Sequence, residues 1–298
     1  GTKGPPRDYV LATEIATPDG HVTKYGGEVV KNVTGYDLNK LYVGAENTLG
    51  VVTAVTLKLE SVPDAQRTWC IPWSPIEHPL EPVFAIQQRF PEITQLEAFE
   101  CTPADFSEWR LHIHACGNPT VLDAIEQAIQ TLPVSADPYR LPDSETAHRT
   151  PETLQHYLNQ SQVIVFSVPK TDLTKTIKTI RNTLPHPKSY TLQVRLAAGL
   201  IILSRAPQMS SQSQPLQRLS TLDLETSLSH LLKEIQHNTP RHKALNGFIK
   251  LQHFSKDFHA LVAQFNLPAC PITRQLMQQI KTQYDPNGIL YSPNLCFS

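Results

Sequence analysis

An α+β architecture is predicted by three features of the sequence. A β-hairpin pattern lies near the start, from Tyr9 to Tyr25, and a Val- and Thr-rich run follows from Gly50 to Leu59. Two longer stretches then repeat the order strand, helix, strand, strand, helix. A last helical pattern closes on Asp285-Pro286-Asn287-Gly288, a turn strong enough to stop a helix and redirect the chain.

Taken in order, Tyr9 to Thr17 is apolar and β-branched, Pro18-Asp19-Gly20 is a turn, and His21 to Tyr25 returns as a second strand. Tyr36 to Val43 reads as a short helix ended by Gly44, the favoured residue just beyond a helix. Gly50 to Leu59 alternates and is rich in β-formers, so a strand follows. The character changes at Ser61-Val62-Pro63-Asp64. Beyond it we expect strands at Thr68 to Trp73, Gln95 to Glu100 and Trp109 to Cys116, with helices at Pro79 to Arg89 and Pro119 to Leu132. Asn118-Pro119 supplies a cap followed by proline at the first helical position. Pro133 to Thr150, rich in Pro, Asp and Ser, reads as a linker.

The second stretch carries strands at Gln162 to Ser167, Tyr190 to Arg195, Leu200 to Ser204 and Ala244 to Gln252, and helices at Asp172 to Leu184 and Leu222 to Gln236. The shared element order suggests a ferredoxin-like pseudo-repeat. Gln208 to Gln217 is a Ser- and Gln-rich loop, and helices are expected at Asp257 to Gln264 and Ile272 to Tyr284.

Composition excludes several functions. A formal charge of −1 and scattered Lys and Arg leave no basic stripe for nucleic acid. The longest apolar run, Val194 to Leu203, contains Arg195 and is too short to span a bilayer, so no transmembrane segment and a cytoplasmic location are expected. Five widely spaced cysteines without a C-x-x-C pair read as free thiols rather than a disulfide framework or zinc knuckle. Gly1 in place of Met suggests a processed or partial chain.

Gly4-Pro5-Pro6-Arg7-Asp8-Tyr9-Val10-Leu11, the Pro18-Asp19-Gly20 hairpin, Lys31 to Leu38, Gly44 to Thr53, and Asp285-Pro286-Asn287-Gly288 followed by Pro293 resemble, in this order, the FAD-linked oxidases of the vanillyl-alcohol oxidase (PCMH) type. The resemblance is to the glycolate oxidase-like, FAD-binding subunits of that family. It implies a partial PCMH-type FAD-binding domain with an inserted ferredoxin-like cap and a C-terminal return. Residues 1–62 would be the second half of the FAD domain, 63–267 the cap or substrate domain, and 268–298 the returning segment. The family's glycine-rich pyrophosphate loop has no counterpart in the chain, so the N-terminal half of the flavin domain is expected to be lacking. The implied activity is flavin-linked oxidation of a short 2-hydroxy acid, with non-covalent FAD. Implied partners are a larger FAD-linked subunit and an iron–sulfur subunit. The alternative is a non-catalytic subunit that keeps the flavin fold as a scaffold for an active partner.

The resemblance places Gly4, Arg7, Asp8, Lys31, Asn32, Gly44, Glu46, Asn47, Thr48, Leu49, Gly50, Val51 and Val52 at the cofactor. Gly44 and Gly50 would remove side chains where a ring must pass, and backbone amides would meet polar ring atoms. The plain reading of the same segment is a helix end running into a core strand. Ala45 and Asn47 stand where the family has Ser and Gly, and Ser292-Pro293-Asn294 where Asn-Pro-Gly is usual. His112, His114 and Cys116 alternate along one strand face, a spacing that can gather metal ligands but that we read as a polar face, so no metal is expected. Tyr36 and Tyr42 read as packing residues, and Arg241-His242-Lys243 as a solvated basic turn. No catalytic base is assigned.

Overall fold

The computed structural model describes residues 6–28, 36–100, 109–134, 138–142, 163–184, 190–205, 226, 229 and 271–290. The chain divides into two compact units: one holds the described residues between 63 and 258, the other those between 6 and 62 and between 271 and 290.

The second of these begins with β1 (Val10–Ala16) and β2 (Val22–Gly26), an antiparallel hairpin in register from Ala12↔Gly26 to Ala16↔Val22. Its turn closes as expected: the Thr17 amide donates to His21 O, the Gly20 amide to Thr17 O, and Asp19 accepts from the Thr17 hydroxyl. Asp19 is held down near 2 by that hydroxyl and by His21. Then come α1 (Asn39–Tyr42) and β3 (Val51–Leu57), giving a sheet of order β2-β1-β3. The helix is shorter than the sequence suggests, and Tyr36, expected to pack, is almost fully exposed. What fixes α1 on the sheet is a buried polar contact. Thr13 Oγ1 donates to Asn39 Oδ1 at 2.8 Å, and Asn39 Nδ2 donates to Leu11 O at 3.2 Å, so the buried amide is satisfied. The alternating burial expected of Gly50 to Leu59 is absent, since six of the seven β3 residues are exposed.

In the other unit, β4 (Ala65–Pro72), α2 (Glu81–Arg89), β5 (Ile93–Glu100), β6 (Trp109–Gly117), α3 (Pro119–Ile129) and β7 (Tyr139–Arg140) form the first repeat. The second repeat runs β8 (Val163–Ser167), α4 (Leu173–Thr183), β9 (Tyr190–Arg195) and β10 (Leu200–Arg205). All pairings are antiparallel, in the order β7-β4-β6-β5-β9-β10-β8. The first four strands have the fourth-first-third-second order of a ferredoxin-like βαββαβ unit, and the corresponding second strands, β5 and β9, join the repeats. β7 corrects the reading of Pro133 to Thr150 as linker. Tyr139 and Arg140 pair with Cys70 and Trp69, a two-residue strand too short for any sequence period to reveal.

The helices cover one sheet face. On β6 the buried residues Trp109, Leu111, Ile113 and Ala115 alternate with half-buried Arg110, His112, His114 and Cys116. Arg67, paired opposite Ala115, reaches Asp123 and Glu126 of α3, at 2.6 and 3.2 Å. Leu122, Ile125 and Ile129 of α3 and Leu173, Ile177 and Ile180 of α4 are buried, each worth about 1.5–3 kcal/mol. The Asn118 side chain accepts from the Thr120 amide at 2.9 Å, the cap the sequence predicts. Glu100 is buried under α4, where it pairs with Arg181 and accepts from the Leu192 amide. Burial pushes its carboxyl up, against the pull of Arg181.

The chain's last described helix, α5 (Pro271–Tyr284), belongs to the hairpin unit. Ile280 and Tyr284 pack on the small core of Ile15, Tyr42 and Leu49. Tyr42 stacks on Tyr25 with ring centres 5.2 Å apart and meets Tyr284 edge-on at 6.2 Å. It is a packing residue, and burial drives its hydroxyl well above the ordinary range. α5 ends where Asp285-Pro286-Asn287-Gly288 turns, with the Gly288 amide bonded to Asp285 O and Gly288 at φ +63°. Of the helix expected at Leu222 to Gln236 only Thr226 and Ser229 are among the described residues, and Ala244 to Gln252, Asp257 to Gln264, Arg241-His242-Lys243 and Ser292 to Asn294 lie outside them.

Candidate functional site

The segment between α1 and β3 leaves the helix at Gly44, whose φ of +93° is open to glycine and strained for other residues. Glu46 and Asn47 follow at φ +49° and +61°, also left-handed, although neither is glycine. Asn tolerates this region because its short side chain bonds locally; Glu carries the larger cost, of order 1–2 kcal/mol. The turn is closed from within: the Ala45 amide donates to Tyr42 O, and the amide and hydroxyl of Thr48 both donate to Ala45 O, at 3.0 and 2.6 Å. Thr48, Leu49 and Gly50 are buried, so the loop turns the first two side chains inward and leaves Gly44 and Asn47 at its surface.

The two glycines have different reasons. A Cβ on Gly44 would meet nothing within 4 Å, so the backbone there is open to approach. A Cβ on Gly50 would come within 2.5 Å of Ile15 Cγ2 and 3.3 Å of Tyr42 Cε1. The space beside Gly50 is thus taken by the chain's own core, which accounts for this glycine without any ligand.

From the other side the loop is held by α5. Lys281 Nζ donates to Thr48 O at 2.9 Å and to Leu290 O at 2.8 Å, and it pairs with Asp285. Asp285 is buried, and its two carboxylate oxygens also accept from the Ile289 and Leu290 amides, at 2.9 and 2.8 Å. Burial alone would raise this carboxyl, but Lys281 and the two amides outweigh it and hold it below the usual carboxylate range. One ammonium therefore joins the Thr48 carbonyl, a helix end and the turn after it. Lys281 escapes the sequence reading because its Thr48 partner lies 233 positions away. The only local signal is the Lys281–Asp285 spacing of four just before Pro-Asn-Gly.

Of the candidate residues, Gly44, Glu46, Asn47, Thr48, Leu49, Gly50, Val51 and Val52 form this one loop and the start of β3, with Val51 and Val52 exposed. Arg7 and Asp8 lie elsewhere. They form an exposed 3₁₀ turn, Pro6–Asp8, leading into β1, where Val10 pairs with Leu57. That is the far end of β3 from Gly50, about 20 Å away for six residues of strand. Only an extended ligand touches both groups. Gly4, Lys31 and Asn32 lie outside the described residues. His112, His114 and Cys116 share one face of β6, as expected, and no group of three or more His, Cys, Asp or Glu able to hold a metal occurs among the described residues. No helix among them is long and apolar enough to cross a membrane.

The chain is 43% identical over 65 residues to glycolate oxidase subunit GlcD of Bacillus subtilis, covering 22% of this chain and 14% of that protein. It is 48% identical over 62 residues to glycolate oxidase subunit GlcE of Escherichia coli, 21% of this chain and 18% of that one. With the mitochondrial D-lactate dehydrogenase [cytochrome] of Arabidopsis thaliana the identity is 42% over 60 residues, 20% and 11% of the two chains. The matches thus span less than a fifth of these relatives' own length. No protein-family model matches the chain. In structure it is similar to the carbohydrate oxidase of Microdochium nivale, with a TM-score of 0.59 at 14% identity over 97% of this chain and 66% of that one. An alkyldihydroxyacetonephosphate synthase gives 0.55 at 14% identity, over 96% and 54%. Over about a fifth of its length the chain is similar in sequence to glycolate oxidase subunits and a D-lactate dehydrogenase, and its mixed helix and sheet fold follows these solved oxidase and synthase structures over nearly all of its own length.

Proposed function

From this relationship we propose that the chain is an FAD-binding component of a flavin-linked oxidoreductase acting on short 2-hydroxy acids, in a glycolate oxidase-like complex. The observation that carries the reading is the 48% identity over 62 residues to a glycolate oxidase subunit, in a chain whose fold follows that of solved oxidases over nearly all its own length. Residues 1–62 and 268–298 would serve as part of the flavin domain and 63–267 as the cap. A larger FAD-linked subunit and an iron–sulfur subunit are the partners this reading calls for, in the cytoplasm.

The residues fit an extended dinucleotide held without a covalent bond. Gly44 offers open backbone, the turn at half-buried Glu46 and exposed Asn47 offers main-chain polar groups, and Arg7 and Asp8 lie at the far end of β3. FAD, when bound, would take the hydride equivalent from the substrate's carbinol carbon. The chain's own part is to bind and position. The loop from Gly44 to Val52 would meet the cofactor by main-chain groups, and Lys281 would keep the loop in place. Titrating FAD into the purified chain and following flavin fluorescence tests this. We expect saturable quenching, weakened at least about tenfold, or 1.4 kcal/mol, in Gly44→Val; because φ +93° strains any side chain there, the comparison is made where urea unfolding shows the variant still folded. Folded protein that never alters flavin fluorescence overturns the reading.

A second reading, a non-catalytic scaffold for an active partner, is favoured by Gly50. Its lack of a side chain is accounted for by Ile15 and Tyr42. That reading expects Gly44→Val to leave a partner's turnover unchanged.

A further inference from the structure

The half-buried face of β6 carries a nucleophile and a base in contact, separate from the loop described above. Cys116 Sγ lies 3.3 Å from His114 Nε2, two residues away on the same side of the strand. The other ring nitrogen, Nδ1, lies 2.8 Å from the hydroxyl of Thr68, the residue opposite His114 on β4. On β5 the residue opposite is Gln95, so both cross-strand partners are uncharged. The tautomer with its proton on Nδ1 donates to Thr68 Oγ1 and leaves the Nε2 lone pair facing the thiol. Burial keeps His114 below its ordinary value, so the ring is neutral at pH 7 with Nε2 open to accept, and its imidazolium, disfavoured there, passes the proton on rather than holding it. Nucleophile, base and orienting hydroxyl therefore touch in sequence, the arrangement that activates a cysteine, with the Thr94 hydroxyl 3.9 Å from the same sulfur. Cys70, by contrast, is buried at 2% exposure, while Cys116 is reachable.

We propose that Cys116 is a peroxide-reactive thiol activated by His114, with Thr68 positioning the imidazole. His114 Nε2 takes the thiol proton as Sγ attacks one oxygen of hydrogen peroxide. The S–O bond forms, the O–O bond breaks, and the departing hydroxide takes the proton from His114 to leave as water. The products are the sulfenic acid at Cys116 and one water. Sulfur loses two electrons and the peroxide gains them.

The test treats the native full chain with hydrogen peroxide at pH 7, traps sulfenic acid with dimedone, and follows each cysteine by peptide mass spectrometry. Cys116 is expected to be labelled at least about tenfold faster than the same cysteine in the urea-unfolded chain, and His114→Gln to remove that advantage. Thr68→Val should slow labelling and Thr68→Ser restore it, an effect that simple exposure of the thiol does not produce. A native rate no greater than the unfolded rate overturns the proposal, and it does so without any variant. Unchanged labelling in a folded His114→Gln chain, shown by its circular dichroism, overturns it equally.

Discussion

Asn47 shows how much one backbone angle asks of a side chain. It sits at φ +61° in the turn that the fold holds between α1 and β3. A β-branched residue has almost no access to this region, whereas glycine enters it freely. Asn47→Val should lower stability by about 1–2 kcal/mol, while Asn47→Gly should stay within about 0.5 kcal/mol of the parent. Urea unfolding of the two variants side by side checks this, and equal midpoints would show that the turn does not impose its angle. Gly50 poses the opposite constraint. Its φ is unremarkable, and what forbids a side chain is Ile15.

At the scale of elements, α5 and the loop from Gly44 to Gly50 are joined through Lys281. Its side chain is 14% exposed, and it serves Thr48 O, Leu290 O and buried Asp285 together. Lys281→Met would leave the Asp285 carboxylate buried without its cation, a loss of about 3 kcal/mol at pH 7. The pH response should change as well. In the parent the carboxyl is held low, so its contribution is present above the ordinary carboxylate range and is lost only as pH falls through the depressed value. Without Lys281 only the two amides oppose burial, so the carboxyl should rise relative to the parent, and the stability gap between parent and variant should narrow as pH falls through the carboxylate range. Denaturant midpoints of parent and variant at pH 7 and about pH 3 measure this. A gap of equal size at both pH values would mean that Asp285 gains nothing from Lys281.

Across the whole molecule the two units differ in how they bury apolar surface. Of the buried hydrophobic residues described, only Ala12, Ile15, Tyr42 and Leu49 belong to the hairpin unit. That unit also carries every exposed large hydrophobic described except Tyr139, among them Val51, Val55 and Leu57 of β3. A unit with so little apolar burial opens readily, and one with a seven-stranded, helix-covered sheet does not. Hydrogen exchange should therefore run about 100-fold faster at the ladder amides of Val51–Leu57 than at those of Trp109–Gly117. Equal protection in the two strands would contradict this. On the proposed reading FAD narrows the gap, because a ligand that binds only the folded unit stabilises it.

The sequence by itself determined the elements whose signals are local. These are the hairpin turn at Pro18-Asp19-Gly20, the Asn118 cap, the order from β4 to α3 in the first repeat and from β8 to β10 in the second, and the stop after Tyr284. Each depends on neighbours within about four positions or on a short period. Through ordered motifs it also pointed to a flavin-oxidase ancestry, which the relatives and the fold support. Tertiary structure decided what no local pattern carries. It paired Tyr139 and Arg140 with β4, filled the space at Gly50 with Ile15, placed Arg7 and Asp8 at the far end of β3, and brought Lys281 to Thr48 across 233 positions. The physical reason is range: caps, turns and periodicity act along the chain, whereas close packing and a buried ammonium act through space. A residue's neighbours in space are settled only once every strand has found its register.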